Sequence, residues 1–292
     1  MSRNERHLSM QSTASTDTIT RAFNKFSNVP KTVKEYCPRI RILVMGKRNA
    51  GKTTLLQRMT RSSDGQFLLR TEDGKLIDDP GSILAPALEA SPLRGHSHID
   101  YEITYPSDKD YIFHDSRGME AGSDDEFRVL KEFIKEKQEM KYLGQRLHVI
   151  WLCLPVDNDR PLGELEMAFF EHATAGVPVI AIFTKFEWRI TKAYDQLRDD
   201  GKNIVQSRRE APAKALIDFG EIQNQRFANV PNPPAAYVFL QEMNTDSGSS
   251  EQLTQITRQL VENKVNQQLF SEIKHNSIKI TMAISLVQYE IP

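Results

Sequence analysis

Six short stretches of the chain are rich in apolar residues and predict buried or half-buried β-strands. Two of them, residues 147–154 and 177–183, are almost continuously apolar, which is typical of central parallel strands covered on both faces. Residues 98–105 instead alternate apolar and polar side chains, as a strand with one buried face does. The predicted strands are residues 42–45, 98–105, 111–114, 147–154, 177–183 and 235–240.

Between these strands, apolar residues recur every three or four positions, which is the spacing of one buried helix face. Ser123-Asp-Asp-Glu126 is a capping box and predicts that a helix begins there. Residues 162–170 and most of residues 189–228 are also predicted to be helical. The buried stripes of the other predicted helices are Leu55, Leu56 and Met59; Phe127, Leu130, Phe133 and Ile134; and Leu253, Ile256, Leu260, Val265, Leu269 and Ile273.

The alternation of strands and helices predicts an α/β fold with a mostly parallel sheet and helices on both of its sides. One pair of strands departs from this rule. The strands at residues 98–105 and 111–114 are separated by the short segment Pro106-Ser-Asp-Lys109, so they can pair antiparallel. We therefore expect one reversed strand at an edge of the sheet.

The predicted domain spans residues 37–266. Residues 1–36 begin with a Ser-, Thr-, Arg- and Asn-rich stretch and are expected to form a disordered or loosely docked arm. Residues 61–97 form a long connection with a hairpin turn at Asp73-Gly74, followed by proline- and glycine-rich chain. A loop of this length within a compact domain is usually functional, and we interpret it as an insertion in a switch region.

Residues 267–292 form a C-terminal extension that ends in a strictly alternating pattern, which favours a strand over a helix. The preferred interpretation is a strand that pairs within this chain or with a partner. A peripheral membrane contact is the alternative, although Lys279 interrupts a run too short to span a bilayer. The alternating apolar residues are Ile278, Ile280, Met282, Ile284 and Leu286.

The composition argues against several broad classes of protein. The 38 Lys and Arg residues balance 39 Asp and Glu residues, so neither a nucleic-acid partner nor general adhesion to a membrane surface is expected. No signal peptide or transmembrane segment is evident, and a cytoplasmic protein is the expectation. Of the two cysteines, Cys153 lies in an apolar strand and is predicted to be a buried, reduced thiol.

The strongest chemical signal is the segment Gly46-Lys-Arg-Asn-Ala-Gly-Lys-Thr-Thr54, which follows a predicted strand and leads into a predicted helix. It fits the phosphate-binding pattern G-x-x-x-x-G-K-[ST]. Gly46 and Gly51 allow backbone N–H groups to close around phosphate oxygens, and the N-terminus of the helix favours the same anion. Lys52 would reach the β- and γ-phosphates, and the Thr53 hydroxyl would bind Mg²⁺.

Two further polar motifs stand at the ends of predicted strands. Asp115-Ser-Arg-Gly118 follows the strand at residues 111–114; its carboxylate could hold Mg²⁺ through water, and the Gly118 N–H could contact the γ-phosphate. Thr184-Lys-Phe-Glu187 follows the strand at residues 177–183. Because ligands of open α/β sheets bind where strands deliver their carboxyl ends, the three motifs are expected to form one site.

In this order the motifs resemble those of the translation-factor-related class of P-loop GTPases, closest to its Era-like, septin-like and avrRpt2-induced-type branches. The resemblance covers about residues 39–266 and implies a three-layer α/β/α G domain with a six-stranded sheet that binds GTP and GDP with Mg²⁺. It implies that Lys185 packs over the base and that Glu187, in place of the usual aspartate, accepts from the guanine ring. Gln241 would offer a backbone contact to guanine O6, as only the main chain matches the family there.

Carried over residue by residue, the resemblance implies three groups of site residues. Lys52 and Gly118 would act in catalysis, and Thr53, Asp115 and Ser97 would hold the metal, Ser97 being the hydroxyl available in the switch segment. The implied nucleotide-binding set is Gly46, Asn49, Ala50, Gly51, Lys52, Thr53, Thr54, Lys185, Glu187 and Gln241.

Two departures from the family pattern bear on hydrolysis. Met119 stands where many of these GTPases have a glutamine that orients the attacking water, so turnover is expected to be slow without a mobile loop or partner. Asn49 is associated, in the branch that lacks this glutamine, with K⁺ binding and with dimerisation across the nucleotide face. The alternative is that Asn49 simply accepts the left-handed backbone of the loop.

The leading hypothesis is therefore a slow, Mg²⁺-dependent GTPase that acts as a molecular switch, with a homodimer or a protein effector as its possible activator. Two alternatives stay open. The absence of a water-orienting residue at Met119 suits a nucleotide-binding scaffold that has lost catalysis. The replacement of aspartate by Glu187 leaves room for an ATP-using P-loop enzyme.

Overall fold

The computed structural model describes residues 37–59, 67–71, 73–77, 98–116, 124–157, 163–172, 174–268 and 271. By its internal contacts the chain divides into two units, Met1–Pro38 and Arg39–Pro292. All of the elements below belong to the second unit. The predictions for the N-terminal arm, for most of residues 61–97 and for the tail at residues 278–292 fall outside the described residues.

Seven strands form one sheet in the order β2-β3-β4-β1-β5-β6-β7. The strands β4, β1, β5, β6 and β7 pair in parallel, whereas β3 runs antiparallel to both β2 and β4. Their bounds are β1 Ile40–Gly46, β2 Leu68–Arg70, β3 Glu102–Tyr105, β4 Asp108–Asp115, β5 Val149–Pro155, β6 Val179–Thr184 and β7 Ala236–Phe239.

The helices occupy the two faces of this sheet. Ile150, Leu152 and Leu154 of β5 belong to the large core cluster on one face, whereas Trp151 points to the other face and donates to Thr257 Oγ1 at 3.1 Å. Two single turns of 3₁₀ helix, His98–Asp100 and Leu143–Gln145, complete the described elements. The helices are α1 Lys52–Met59, α2 Asp124–Glu139, α3 Glu164–His172, α4 Glu187–Asp199, α5 Ile204–Phe227 and α6, residues 251–268.

The α/β fold class is confirmed, and so is the three-layer α/β/α arrangement expected of a P-loop G domain. The prediction of six strands is wrong by one. Leu68–Arg70 pairs with Glu102–Tyr105 and becomes the edge strand, so the reversed strand β3 lies one position inside the edge. The predicted turn at Asp73-Gly74 is present, with Gly74 at φ +82° and a bridge between Arg70 and Leu76.

Two other boundaries differ from the prediction. The strand expected from residue 98 begins at Glu102, because residues His98–Asp100 form a 3₁₀ turn whose Ile99 carbonyl accepts a bond from His114. The charged helical stretch is two helices, separated after Asp199 by Gly201 at φ +83°. Asn203 caps the second of them by accepting from the Gln206 N–H at 2.9 Å.

Strand β1 ends at a position that only glycine can occupy. Gly46 has φ +144°, and a Cβ atom there would lie 2.4 Å from the carbonyl oxygen of Cys153 on β5. The next strand therefore comes so close to the start of the loop that no side chain fits between them. Cys153 itself is buried and free, as predicted.

We expect Gly46→Ala to lower the free energy of unfolding by roughly 2 kcal/mol or more, because it combines a backbone clash with a strained φ. The measurement is urea denaturation of the nucleotide-free protein. Gly220→Ala is the matched control: Gly220 lies inside α5, and a Cβ there meets no atom within 4 Å. The control should gain up to about 1 kcal/mol from helix propensity. Equal effects at the two glycines would contradict this account.

Candidate nucleotide-binding site

The three predicted motifs begin at the ends of strands that point to the same side of the sheet. Strand β1 is flanked by β4 and β5, with Val44 opposite Asp115 and Gly46 opposite Cys153. Strand β6 follows β5, and its last residue, Thr184, lies opposite Pro155. These strands are parallel, so the segments that follow β1, β4 and β6 all begin at the carboxyl end of the sheet. The structure thus places Lys52, Asp115 and Lys185 at the same end of the sheet.

The loop between β1 and α1 has the backbone of an anion cradle. Three of its residues have positive φ: Gly46 at +144°, Asn49 at +62° and Gly51 at +83°. Such a sequence of left-handed positions turns successive N–H groups toward the inside of the loop. Asn49 accordingly has the left-handed geometry that its side chain tolerates. Ala50 is buried, and its N–H donates to the Lys47 carbonyl at 3.1 Å.

Lys52, the first residue of α1, folds back over this loop. Its Nζ atom donates to the Gly46 carbonyl at 2.8 Å and to the Lys47 carbonyl at 3.1 Å. These two bonds hold a positive charge at the mouth of the loop, at the N-terminus of a helix that itself favours an anion. Thr53 and Thr54 follow within the first turn, and Thr53 is exposed.

Two contacts that the sequence analysis did not anticipate hold the loop in place. Thr184 Oγ1 donates to the Ala50 carbonyl at 2.9 Å, which ties the end of β6 to the loop. Lys47 Nζ lies 3.0 Å from the Glu166 carboxylate, whose side chain is 2% exposed. Glu166 also accepts from the Gly163 N–H at 2.8 Å. A buried carboxylate needs such partners, so α3 and the loop are joined electrostatically.

Asp115, at the end of β4, has the character of a cation ligand. Its Oδ1 atom is buried and has no hydrogen-bond partner among the described residues. Burial raises the pKa of this carboxyl to about 6, and the charge of Lys52 opposes that rise. An orphaned, desolvated carboxylate oxygen beside the loop at residues 46–53 suits Mg²⁺, which prefers oxygen ligands. The residues present therefore fit a magnesium ion held with the help of Asp115 and Thr53.

A buried polar network fixes the strand that carries Asp115. Arg41 Nη1 donates to Glu102 Oε1 at 2.6 Å and to His114 Nε2 at 2.8 Å, while His114 Nδ1–H donates to the Ile99 carbonyl at 2.8 Å. Burial, together with the charge of Arg41, lowers the pKa of His114 to about 3. The neutral imidazole therefore links β4, one residue before Asp115, to Arg41 of β1 and to the 3₁₀ turn at His98–Asp100, and Arg41 extends the network to Glu102 of β3.

The third motif forms the other end of the site. Lys185 has φ +58°, and its Nζ atom lies 2.5 Å from Asp157 Oδ2, just beyond the end of β5. Glu187 begins α4, and its Oε2 atom accepts from the Glu242 N–H at 3.1 Å. The main chain beside it is fixed too, since the Phe186 N–H donates to the Leu240 carbonyl at 3.0 Å. The exposed Gln241 lies between these two points, in the loop after β7.

Several predicted residues cannot be placed. Ser97 and Gly118 lie outside the described residues, as does Met119. Conversely, sequence reasoning missed Glu166 and Asp157. Each had a weak signal: Glu166 directly precedes the apolar stretch Met-Ala-Phe-Phe, and Asp157 follows a continuously apolar strand.

Comparison with known proteins adds little beyond the fold. No protein-family model matches the chain, and no curated protein matches it. Among solved structures, the chain is similar to the septin GTPase domain from Chlamydomonas reinhardtii. That match has a TM-score of 0.31 and 18% sequence identity, and it covers 68% of this chain and 74% of that chain.

Within the described ranges, no helix has both the length and the apolar character needed to cross a membrane.

The desolvated charge of Asp115 gives a testable prediction about stability. Because folding raises the pKa of this carboxyl from 3.8 to about 6, wild-type stability should fall as the pH rises through that interval. Asp115→Asn removes the charge and should stabilise the nucleotide-free protein by about 3 kcal/mol at pH 7.5. The gain should vanish near pH 3, where the wild-type carboxyl is protonated in both the folded and the unfolded protein. Denaturation curves at both pH values test this, and a variant that is less stable at pH 7.5 would refute it.

Proposed function

We propose that the chain is a guanine-nucleotide-binding protein that hydrolyses GTP slowly with Mg²⁺ and acts as a molecular switch. The observation that supports this most directly is the arrangement of strand ends. Lys52, Asp115 and the Lys185–Glu187 segment follow β1, β4 and β6, which end on the same side of the sheet. A triphosphate placed on the loop would extend its base toward β6 and β7. The roles of the site residues depend on this placement of the nucleotide.

The phosphates would be bound by the loop and by Lys52. N–H groups of residues 46–53, other than the Ala50 N–H that is bonded to the Lys47 carbonyl, would donate to phosphate oxygens. The Lys52 ammonium would exchange its bonds to loop carbonyls for bonds to the β- and γ-phosphates. Thr54, in the first turn of α1, would extend the contact along the helix N-terminus. Gly118 is proposed to donate its N–H to the γ-phosphate.

The metal would be held by Thr53 and, through water, by Asp115, with Ser97 as a proposed third contact. Mg²⁺ bound there would neutralise the charge of the phosphate oxygens. The carboxylate must be ionised to do this, and both Lys52 and the cation favour the ionised form.

The base would lie between Lys185 and the loop after β7. Lys185 is fixed by Asp157, so its aliphatic stem is available to cover one face of a purine ring. The Glu187 carboxylate offers acceptors that match the N1–H and 2-amino group of guanine, and the main chain at Gln241 would meet guanine O6. Adenine carries neither of those two donors in the same places, so the arrangement favours GTP over ATP.

Hydrolysis would need help from outside the described site. Met119 cannot orient a water molecule, so the proposed turnover is slow in isolation. Dimerisation across the nucleotide face, a protein effector or a K⁺ ion near Asn49 would supply the missing charge stabilisation. GTP binding without turnover under all of these conditions would leave the scaffold function instead.

Lys52→Ala should weaken GTP binding at least about tenfold, because it removes charge-assisted hydrogen bonds to the phosphates. Isothermal titration of the full chain with GTP and ATP in Mg²⁺ measures both the loss and the preference for guanine. Lys135→Ala, which changes an exposed lysine on α2, is the control and should bind like wild type. Tighter binding of ATP than of GTP would overturn the guanine assignment.

The two interpretations of Asn49 are separated by Asn49→Gly, which keeps the left-handed backbone but removes the side-chain amide. If the amide binds K⁺, the variant should lose the stimulation of GTP turnover by K⁺ over Na⁺ and keep its nucleotide affinity. Phosphate release in the two salts is the measurement. Equal K⁺ stimulation in variant and wild type would assign Asn49 a backbone role alone.

A further inference from the structure

The loop after β7, residues 241–248, is held in one shape by its own hydrogen bonds. Glu242 has φ +53°, and its carbonyl oxygen accepts from both the N–H and the Oγ1 of Thr245, each at 2.9 Å. Its carboxylate accepts from Ser247 Oγ at 2.7 Å. The loop closes tightly at Gly248, where a Cβ atom would lie 2.6 Å from the Glu242 carbonyl oxygen. Bonds within the loop therefore link its two ends, Glu242 and Gly248 with its neighbours, into one compact turn.

Glu187 is the side chain that fixes this turn to α4. Its Oε2 atom accepts from the Glu242 N–H, and an aspartate, one methylene shorter, would not reach the same N–H from the same backbone position. The extra methylene thus has a structural use. The carboxylate that faces the base also sets the position of the loop that contacts the base.

Arg58 is the side chain that fixes the loop to the phosphate-binding helix. It lies in the last turn of α1, where its Nε atom donates to the Met243 carbonyl at 3.4 Å and its Nη2 atom donates to the Thr245 carbonyl. The last turn of α1, the helix that begins at Lys52, is therefore hydrogen-bonded to the loop after β7.

A cleft borders this side of the loop. It has a volume of about 1150 Å³ and lies between α1, the β3–β4 turn and α6, and Arg58, Met243, Asn244 and Asp246 line part of it. The hydrogen bonds of Arg58 therefore join α1 to the loop at the border of a cleft.

We propose that Glu187 and Arg58 together determine the base specificity of the site by clamping residues 241–248, Glu187 from the base side and Arg58 from the phosphate side. Glu187 acts both as a reader of the base and as a support for the loop, and Arg58 is a positioning residue. This inference rests on the proposed binding of guanine nucleotides. It implies that replacing Glu187 by the aspartate usual in GTPases weakens guanine recognition in this chain.

The first test compares Glu187→Asp with Glu187→Gln. Amide hydrogen exchange of the nucleotide-free chain should show slow exchange at Glu242 in wild type and in the glutamine variant, whose side-chain oxygen keeps the length and the acceptor. Exchange should be at least about tenfold faster in the aspartate variant. Glu262→Asp, at an exposed position on α6, is the matched control and should leave Glu242 protected. Protection retained in Glu187→Asp would overturn the clamp.

The second test measures binding of GDP, of inosine diphosphate, which lacks the 2-amino group, and of inorganic pyrophosphate, all with Mg²⁺. Glu187→Asp and Arg58→Ala should each weaken GDP binding about tenfold and bring the affinities for GDP and inosine diphosphate closer together, while pyrophosphate affinity stays unchanged. Arg209→Ala, at an exposed arginine on α5, is the control for Arg58. An equal loss for pyrophosphate would show that Arg58 acts on the phosphate loop instead.

These outcomes separate the inference from the function on which it rests. If wild type binds no GDP, the proposed function fails, and the hydrogen-exchange result still decides whether Glu187 holds the loop. If wild type prefers GDP and both variants keep that preference unchanged, the inference fails while the proposed function stands.

Discussion

The structure depends on the close approach of β1 and β5 at the point where the chain leaves the sheet. Gly46 leaves no room for a side chain against the Cys153 carbonyl, so the backbone turns sharply there and continues through two further left-handed residues into α1. This turn places the Lys52 ammonium over the carbonyl oxygens of its own loop. A concentration of positive charge and N–H donors results from backbone geometry, and the neighbouring strands are arranged around it.

Buried ion pairs join the elements around the candidate site. The interior contains the ion pair between Arg41 and Glu102, and Glu166 pairs with a lysine of the loop. Charges removed from water are costly unless they are paired and hydrogen-bonded, so each pair permits few alternative arrangements of the elements it joins. Buried atoms without a hydrogen-bond partner in the described part of the chain include Asp115 Oδ1, Arg41 Nε and Ser116 Oγ. Of these three, the Asp115 oxygen is the one whose negative charge and position beside the loop suit a cation.

Local patterns predicted most of the fold and singled out the segments that form the candidate site. The continuous apolar runs of β5 and β6 are recognisable because both faces of these strands are covered, and the loop at residues 46–54 is recognisable because phosphate binding needs glycines and lysine at fixed spacing. Strand β2 lies within the predicted hairpin, but its pairing with β3, about thirty positions later, was missed because nothing local in the sequence indicates it. Arg58 was missed for the same reason, since its partner Thr245 is 187 positions away. Contacts of this kind leave no periodic trace in a sequence.

The buried thiol of Cys153 has a consequence for chemical reactivity. Burial raises its pKa to about 12, so the thiolate, which is the form that oxidants and alkylating reagents attack, is nearly absent while the sheet is closed. Separation of β1 from β5 would expose the sulfur and restore an ordinary thiol. The rate at which Cys153 is alkylated therefore measures how fast β1 and β5 separate beneath the loop, without any introduced probe.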